Sequence, residues 1–156
     1  MADVFLAETP TQIEHVRSLF RAYYAELTPQ YRPQNSESEI AALPYPYVAP
    51  QGALLLAAVA GQPAGCVGLR PFPLDGACEM KRLYVRPAFR GDKLGRELVE
   101  RIIGEAKVLG YRRMRLDTHP PTMASALKLY RHVGFEQITP EPSEAIEGLI
   151  YMEKIL

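Results

Sequence analysis

Residues 78–98 read CEMKRLYVRPAFRGDKLGREL, and they carry most of the chemistry in the chain. The pattern is a strand, a short loop holding Gly91 and Gly95, and the first turn of a helix. A strand that passes into a helix through such a loop aims backbone N–H groups at one spot. The helix dipole adds positive potential there. The product is a seat for a phosphate or diphosphate. The strand itself carries Glu79, Lys81 and Arg82, charges that a buried strand normally excludes. An anion seat beside a charged strand predicts a site that holds a phosphorylated cofactor and does chemistry next to it.

The elements around this stretch can be read from periodicity. Val4–Ala7 reads as a first strand, and Thr9-Pro10 as the cap and opening of a helix. Ile13, Val16, Phe20, Tyr23 and Leu27 recur through that helix at three- and four-residue steps. Ser36 caps a second, short helix to about Leu43, and the proline-rich 44–50 segment suits no regular element. Gly52–Ala60 and Cys66–Phe72 read as strands joined through Gly61–Gly65, and the charged strand ends near Val85. A helix follows from about Lys93 to Leu109, with Leu94, Leu98, Ile102 and Ala106 as its apolar stripe. Tyr111–Thr118 is the next strand, and a helix from about Thr122 to His132 follows the Pro120-Pro121 break. Phe135–Thr139 and Ile146–Ile155 close the chain. The order predicts an α/β (α+β) fold in a single domain, 1–156. Its centre is a mixed, mostly antiparallel sheet of about seven strands with about four helices on both faces.

Bulk properties narrow the function. In the 156 residues, 18 Lys and Arg balance 18 Asp and Glu. A formal charge of zero argues against bulk electrostatic binding to nucleic acid or acidic membrane. No apolar run approaches the roughly 20 residues that span a bilayer. The start, MADVFLAE, lacks the basic residues and long apolar stretch of a secretion signal. The expectation is a cytoplasmic protein. Cys66 and Cys78 form no CxxC pair, and His15, His119 and His132 are scattered, so no metal site is expected. No G-x-x-x-x-G-K-[ST] motif occurs, which excludes a P-loop hydrolase.

Two motifs together carry a family resemblance. The segment from Leu83 through Arg90 to Gly95 resembles the strand, Arg/Gln-x-x-Gly-x-Gly/Ala loop and helix of the GNAT superfamily of acetyl-coenzyme A-dependent N-acetyltransferases. Residues 126–135, ALKLYRHVGF, are similar to that family's other cofactor-side helix. One position departs: Lys93 stands where the family usually has Gly. A lysine fits that place if its φ is negative, and its ammonium could contact a phosphate.

The resemblance implies a fold, a reaction and roles. The co-substrate is acetyl-coenzyme A, and the partner is a primary-amine acceptor that attacks directly within a ternary complex. The backbone of Leu83 and Val85, with Tyr84 between them, would hold the acetyl carbonyl and the pantetheine arm, provided the strand splays from its neighbour. The loop of Arg90, Gly91, Asp92, Lys93, Leu94, Gly95 and Arg96 would hold the diphosphate. Glu79 matches a catalytic glutamate that acts as general base, often through water. The alternative is a same-face ion pair with Lys81. Tyr130 matches a tyrosine near the cofactor sulfur that acts as general acid. The alternative is a core aromatic in a stripe with Met123 and Leu127. Tyr23, Tyr24, Tyr31, Tyr45 and Tyr47, with Glu141, Glu144 and Glu147, lie in the segments that form the family's acceptor pocket. A non-catalytic acyl-coenzyme A sensor is the alternative to an enzyme, and a homodimer is compatible with either.

Overall fold

The computed structural model describes residues 2–156, with backbone alone for 120–124, so Met123 of the expected stripe lies outside the described side chains. Seven strands run in chain order: β1 (Ala2–Leu6), β2 (Ala53–Val59), β3 (Gln62–Pro71), β4 (Ala77–Val85), β5 (Arg113–Thr118), β6 (Glu136–Ile138) and β7 (Ile150–Ile155). Four helices accompany them: α1 (Pro10–Glu26), α2 (Ser36–Ala42), α3 (Leu94–Val108) and α4 (Pro120–His132). They form one mixed sheet of order β1-β2-β3-β4-β5-β7-β6. Among the described residues only β4 and β5 pair in parallel.

Each helix is placed by its apolar stripe. On α3, Leu94, Leu98, Val99, Ile102, Ile103 and Ala106 are buried against Leu55, Val67, Leu69 and Met114 of the sheet. On the opposite face, Val16, Leu19 and Phe20 of α1 and Ile40 of α2 pack on Leu54, Leu56, Cys66 and Tyr84. Helix α1 starts at a capping box: Thr9 accepts from the Gln12 N–H, and the Gln12 side chain accepts from the Thr9 N–H. Helices α1 and α2 cover β2 to β4 but leave β5, β7 and β6 uncovered on their face.

Several boundaries differ from the sequence reading. The β2–β3 hairpin is tighter, because Ala60 (φ 51°) and Gly61 (φ 79°) alone make the turn and two positive φ angles match the twist of a hairpin. Strand β3 therefore begins at Gln62, and Pro63, which lacks an N–H, pairs with Ala58 next to the bulge that Ala64 makes in β3. Pro120 opens α4 instead of preceding it, as proline does at a first helical position. The last strand begins four residues later, at Ile150.

The pair β4–β5 has an early end. Ala77, Cys78 and Glu79 pair with Arg113, Met114 and Arg115, and nothing of β5 pairs with Met80–Val85. Opposite this point the β3–β4 register slips between Cys66 and Gly68, so Arg82 and Leu83 face Val67 as a bulge. Arg82 has φ 61°. A bulge bends its strand, and here it turns β4 away from β5.

Lys93 corrects one expectation. Its φ is 61°, in the left-handed region, so the residue that stands where glycine is usual also keeps glycine's conformation. Such a backbone costs a non-glycine residue on the order of 1 kcal/mol. Lys93→Gly is therefore expected to raise the melting temperature of the ligand-free protein by about 2–4 °C. Calorimetry checks this, and a lower value would show that the strain at Lys93 is smaller than the unfolded-chain entropy that glycine adds.

Candidate active site

The bulge is built by a side-chain clamp. Arg82 Nε and Nη2 donate to Glu39 Oε1 and Oε2 of α2 at 2.9 and 3.1 Å. The two side chains are only 14% and 12% exposed. The Tyr47 hydroxyl donates to the same carboxylate at 3.3 Å, and the guanidinium lies over the Tyr24 ring at 5.4 Å. Burial alone would raise the Glu39 pKa; the hydrogen bond and charge of Arg82 outweigh it and hold the carboxyl below its ordinary value. Helix α2 is thereby bolted to the one residue of β4 in a left-handed conformation.

Where β4 leaves β5, a cleft of about 650 Å³ opens. Leu83, Tyr84 and Val85 form one wall, and Ala126 and Leu129 of α4 form the other. Arg90, Gly91, Lys93, Leu94, Gly95 and Arg96 line its end. Gly91 (φ 97°) has open space where a Cβ would point, so the loop backbone is free of covering side chains there. Sequence reasoning missed Lys128 and His132, which also line this end. The A-x-x-L-Y motif placed their helix, but only the fold shows which turn faces the loop. Arg96 contacts His132 Nε2 at 2.9 Å and Glu100 at 2.7 Å. Arg90 donates to the Val85 carbonyl at 2.8 Å and to Glu26 at 2.8 Å. The Tyr84 hydroxyl donates to Glu26 as well.

Two residues expected at the cofactor, Asp92 and Tyr130, are not among those that line the cleft. Asp92 is exposed and does not line the cleft, because the left-handed residues on either side turn it outward. Tyr130 is 5% exposed and packs edge-on against Phe135 at 5.9 Å, behind the lining residues. Burial, followed by the nearby Tyr23 and Asp117, pushes its hydroxyl above the ordinary tyrosine pKa. The group stays protonated at neutral pH, as a donor must.

Glu79 faces a second cavity of about 510 Å³, on the α1/α2 side of the sheet. It is held by Arg70, whose Nε and Nη2 lie 3.0 and 2.9 Å from Oε1. Its Oε2 is 4.0 Å from Lys81 Nζ, so the expected ion pair with Lys81 is present but loose. Asp117 of β5, which the sequence did not single out, is 3.7 Å from the same ammonium. Tyr151 closes the cavity by accepting from the Ile146 N–H and donating to the Glu144 carbonyl. Tyr31 stacks on His119 at 3.9 Å and donates to the Glu147 carbonyl at 3.2 Å. Cys66 and Cys78 are buried, and burial pushes each thiol up to about 12, which leaves no thiolate for covalent catalysis.

Residues 14–135 match the model of the acetyltransferase (GNAT) family. The chain belongs to that family. An N-acetyltransferase of Schizosaccharomyces pombe is 39% identical over 144 residues, covering 92% of this chain and 88% of the relative. The IAA acetyltransferase of Azospirillum brasilense is 35% identical over 103 residues, 65% of this chain and 67% of its own length. Among solved structures, a GNAT-family acetyltransferase from Staphylococcus aureus superposes with a TM-score of 0.83 at 16% identity, covering 99% of both chains. A Salmonella typhimurium protein solved with its cofactor acetyl-CoA superposes with a TM-score of 0.76 at 19% identity, covering 99% of this chain and 93% of that one. This GNAT chain is thus an acyltransferase, and its family uses acetyl-coenzyme A. Among the described residues no cluster could hold a metal ion, and no helix is long and apolar enough to cross a membrane.

The clamp has a measurable weight. Glu39→Ala leaves the Arg82 charge unpaired, and is expected to cost about 3–5 kcal/mol in urea unfolding. The sign with pH follows from the lowered Glu39 pKa. Its contribution is complete above the unfolded value of about 4.3 and is lost as pH falls through the folded value. Glu39→Gln should therefore destabilise at neutral pH and flatten the acid side of the stability profile. An unchanged acid side would remove Glu39 from this role.

Proposed function

We propose that residues 1–156 form one N-acetyltransferase domain that moves acetyl from acetyl-coenzyme A to a primary amine by direct attack in a ternary complex. The observation that carries this reading is the split sheet. The β4–β5 gap opens a cleft at Leu83–Val85, and a charged cavity lies a few residues back along the same strand, at Glu79 and Lys81.

The cleft fits the carrier in chemistry as well as shape. Its wall at Leu83–Val85 presents strand backbone with no β5 partner, which can bond an amide-rich arm. Its far end gathers Lys93, Arg96, Lys128 and His132 beside the N-terminus of α3, where phosphates are favoured. When bound, acetyl-coenzyme A supplies the activated acetyl group, whose C–S bond breaks as the C–N bond to the amine forms.

The chain's own residues then have defined tasks. Glu79, with Oε1 taken by Arg70 and Oε2 only loosely paired with Lys81, takes the amine proton through water. Tyr130, buried just behind the α4 wall of the cleft and protonated at neutral pH as a tyrosine ordinarily is, donates to the leaving thiolate.

Two measurements test this. Acetyl-coenzyme A at about 100 times its dissociation constant is expected to add about 2.7 kcal/mol to the stability. Tyr130→Phe is expected to lower kcat on the order of 10²-fold while KM for acetyl-coenzyme A stays within a factor of about two. A melting shift without turnover of any amine would favour a non-catalytic acyl-coenzyme A sensor.

A further inference from the structure

We propose that the charged cavity is a site for a free α-amino acid with an apolar or aromatic side chain, its ammonium on Asp117 and its carboxylate on Lys81. This rests on the acetyl-transfer reading and narrows its amine.

From β3 to β7 the α1/α2 face of the sheet carries two rows of polar side chains. In the first, Arg70, Glu79, Arg115 and Glu153 stand in direct register across β3, β4, β5 and β7. Charge alternates along this row, and it is internally satisfied: Arg70 bonds Glu79, and Arg115 Nε bonds Glu153 at 2.8 Å. The second row differs. Lys81 Nζ stands 3.7 Å from Asp117 and 4.0 Å from Glu79, both beyond hydrogen-bond length. Among the described residues no hydrogen bond reaches either the Lys81 ammonium or the Asp117 carboxylate. Yet Lys81 is only 13% exposed and Asp117 29%. The ammonium thus lines the cavity held by two long ion pairs and by no hydrogen bond to a described residue.

The chemistry of the missing partner follows from this pair. A simple amine would engage Asp117 and leave Lys81 competing for the same carboxylate. A simple anion would engage Lys81 and leave Asp117 short of donors. An α-amino acid carries both charges on one carbon, at a spacing comparable to the Lys81–Asp117 gap. It completes a square of alternating charge. Away from the charges, the cavity is walled by Phe72, Tyr45, Ile138 and Ile146, with Phe72 held under the Arg115 guanidinium at 5.0 Å. These groups suit an apolar side chain.

The test pairs L-phenylalanine, L-leucine and L-methionine with their carboxamides, which keep the ammonium and lose the carboxylate charge. Binding is read by calorimetry on the protein saturated with coenzyme A. Turnover is read by thiol release from acetyl-coenzyme A. At least one free acid is expected to outperform its amide on the order of 10²-fold in both readouts, the discrimination of a site whose charge is left unpaired. Lys81→Met should erase that preference and Lys81→Arg should keep it. Neither variant should alter the melting shift caused by acetyl-coenzyme A. Amides equal to or better than the acids, or a preference that survives in Lys81→Met, overturns the proposal. So does failure of every free acid to bind. Binding of a free acid with no turnover of any amine keeps the site and defeats the transfer reading. Turnover of amides alone does the reverse.

Discussion

Strand β4 parts from β5 after three paired residues, and the arrangement that holds it apart is the ion pair between Arg82 and Glu39. A left-handed arginine inside a strand is strained, and a bulge without support would relax toward regular pairing. The bidentate contact to α2, with Tyr47 on the same carboxylate, fixes the arginine from the face opposite the α3 core. Without the split, Leu83–Val85 would pair with β5 and no cleft would exist beside them. The energy held in the clamp thus goes into shape, in the way buried polar contacts often set a unique geometry instead of adding net stability.

The split also decides what each sheet face can do. On the α3 side the gap is closed at its base by α4, which buries Tyr130 against Phe135 and leaves an apolar trough ending in cations. On the α1/α2 side the helices stop over β4. The β5–β7–β6 half is therefore free to carry charge, because a strand face without a helix on it need not be apolar. Arg115 and Asp117 lie on that open half, with Glu79 and Lys81 beside them on β4, and their neighbours Cys78, Met80, Met114 and Leu116 point into the core. Period-two alternation alone separates the reacting face from the packing face.

Much of this was legible in the sequence, for identifiable reasons. Helical stripes such as Leu94–Leu98–Ile102–Ala106 and stops such as Gly110 are local signals, and the elements they predict are present within a few residues. The loop from Arg90 to Gly95 and the 126–135 motif were readable because close backbone approach and helix packing restrict residue types. The φ of Lys93 was not legible because a side chain says little about φ when the surrounding loop imposes it. Asp117, Lys128 and His132 were missed because each owes its role to register or helix rotation. The row Arg70–Glu79–Arg115–Glu153 joins four strands over more than eighty residues of chain, and no local pattern announces it.

Glu79 illustrates how the three-dimensional setting redistributes roles. By spacing it pairs with Lys81; in the fold it is claimed mainly by Arg70 across β3–β4, which releases Lys81 toward Asp117. That release matters electrostatically. A carboxylate gripped on one oxygen keeps its orientation while its other oxygen stays available, which a proton acceptor requires. An ammonium only loosely held, and mostly hidden from water, keeps most of its attraction for an incoming anion, since the medium around it screens little. The cross-strand arginine therefore orients the base and leaves the neighbouring lysine free for a ligand, and both effects follow from where the β3–β4 register slips.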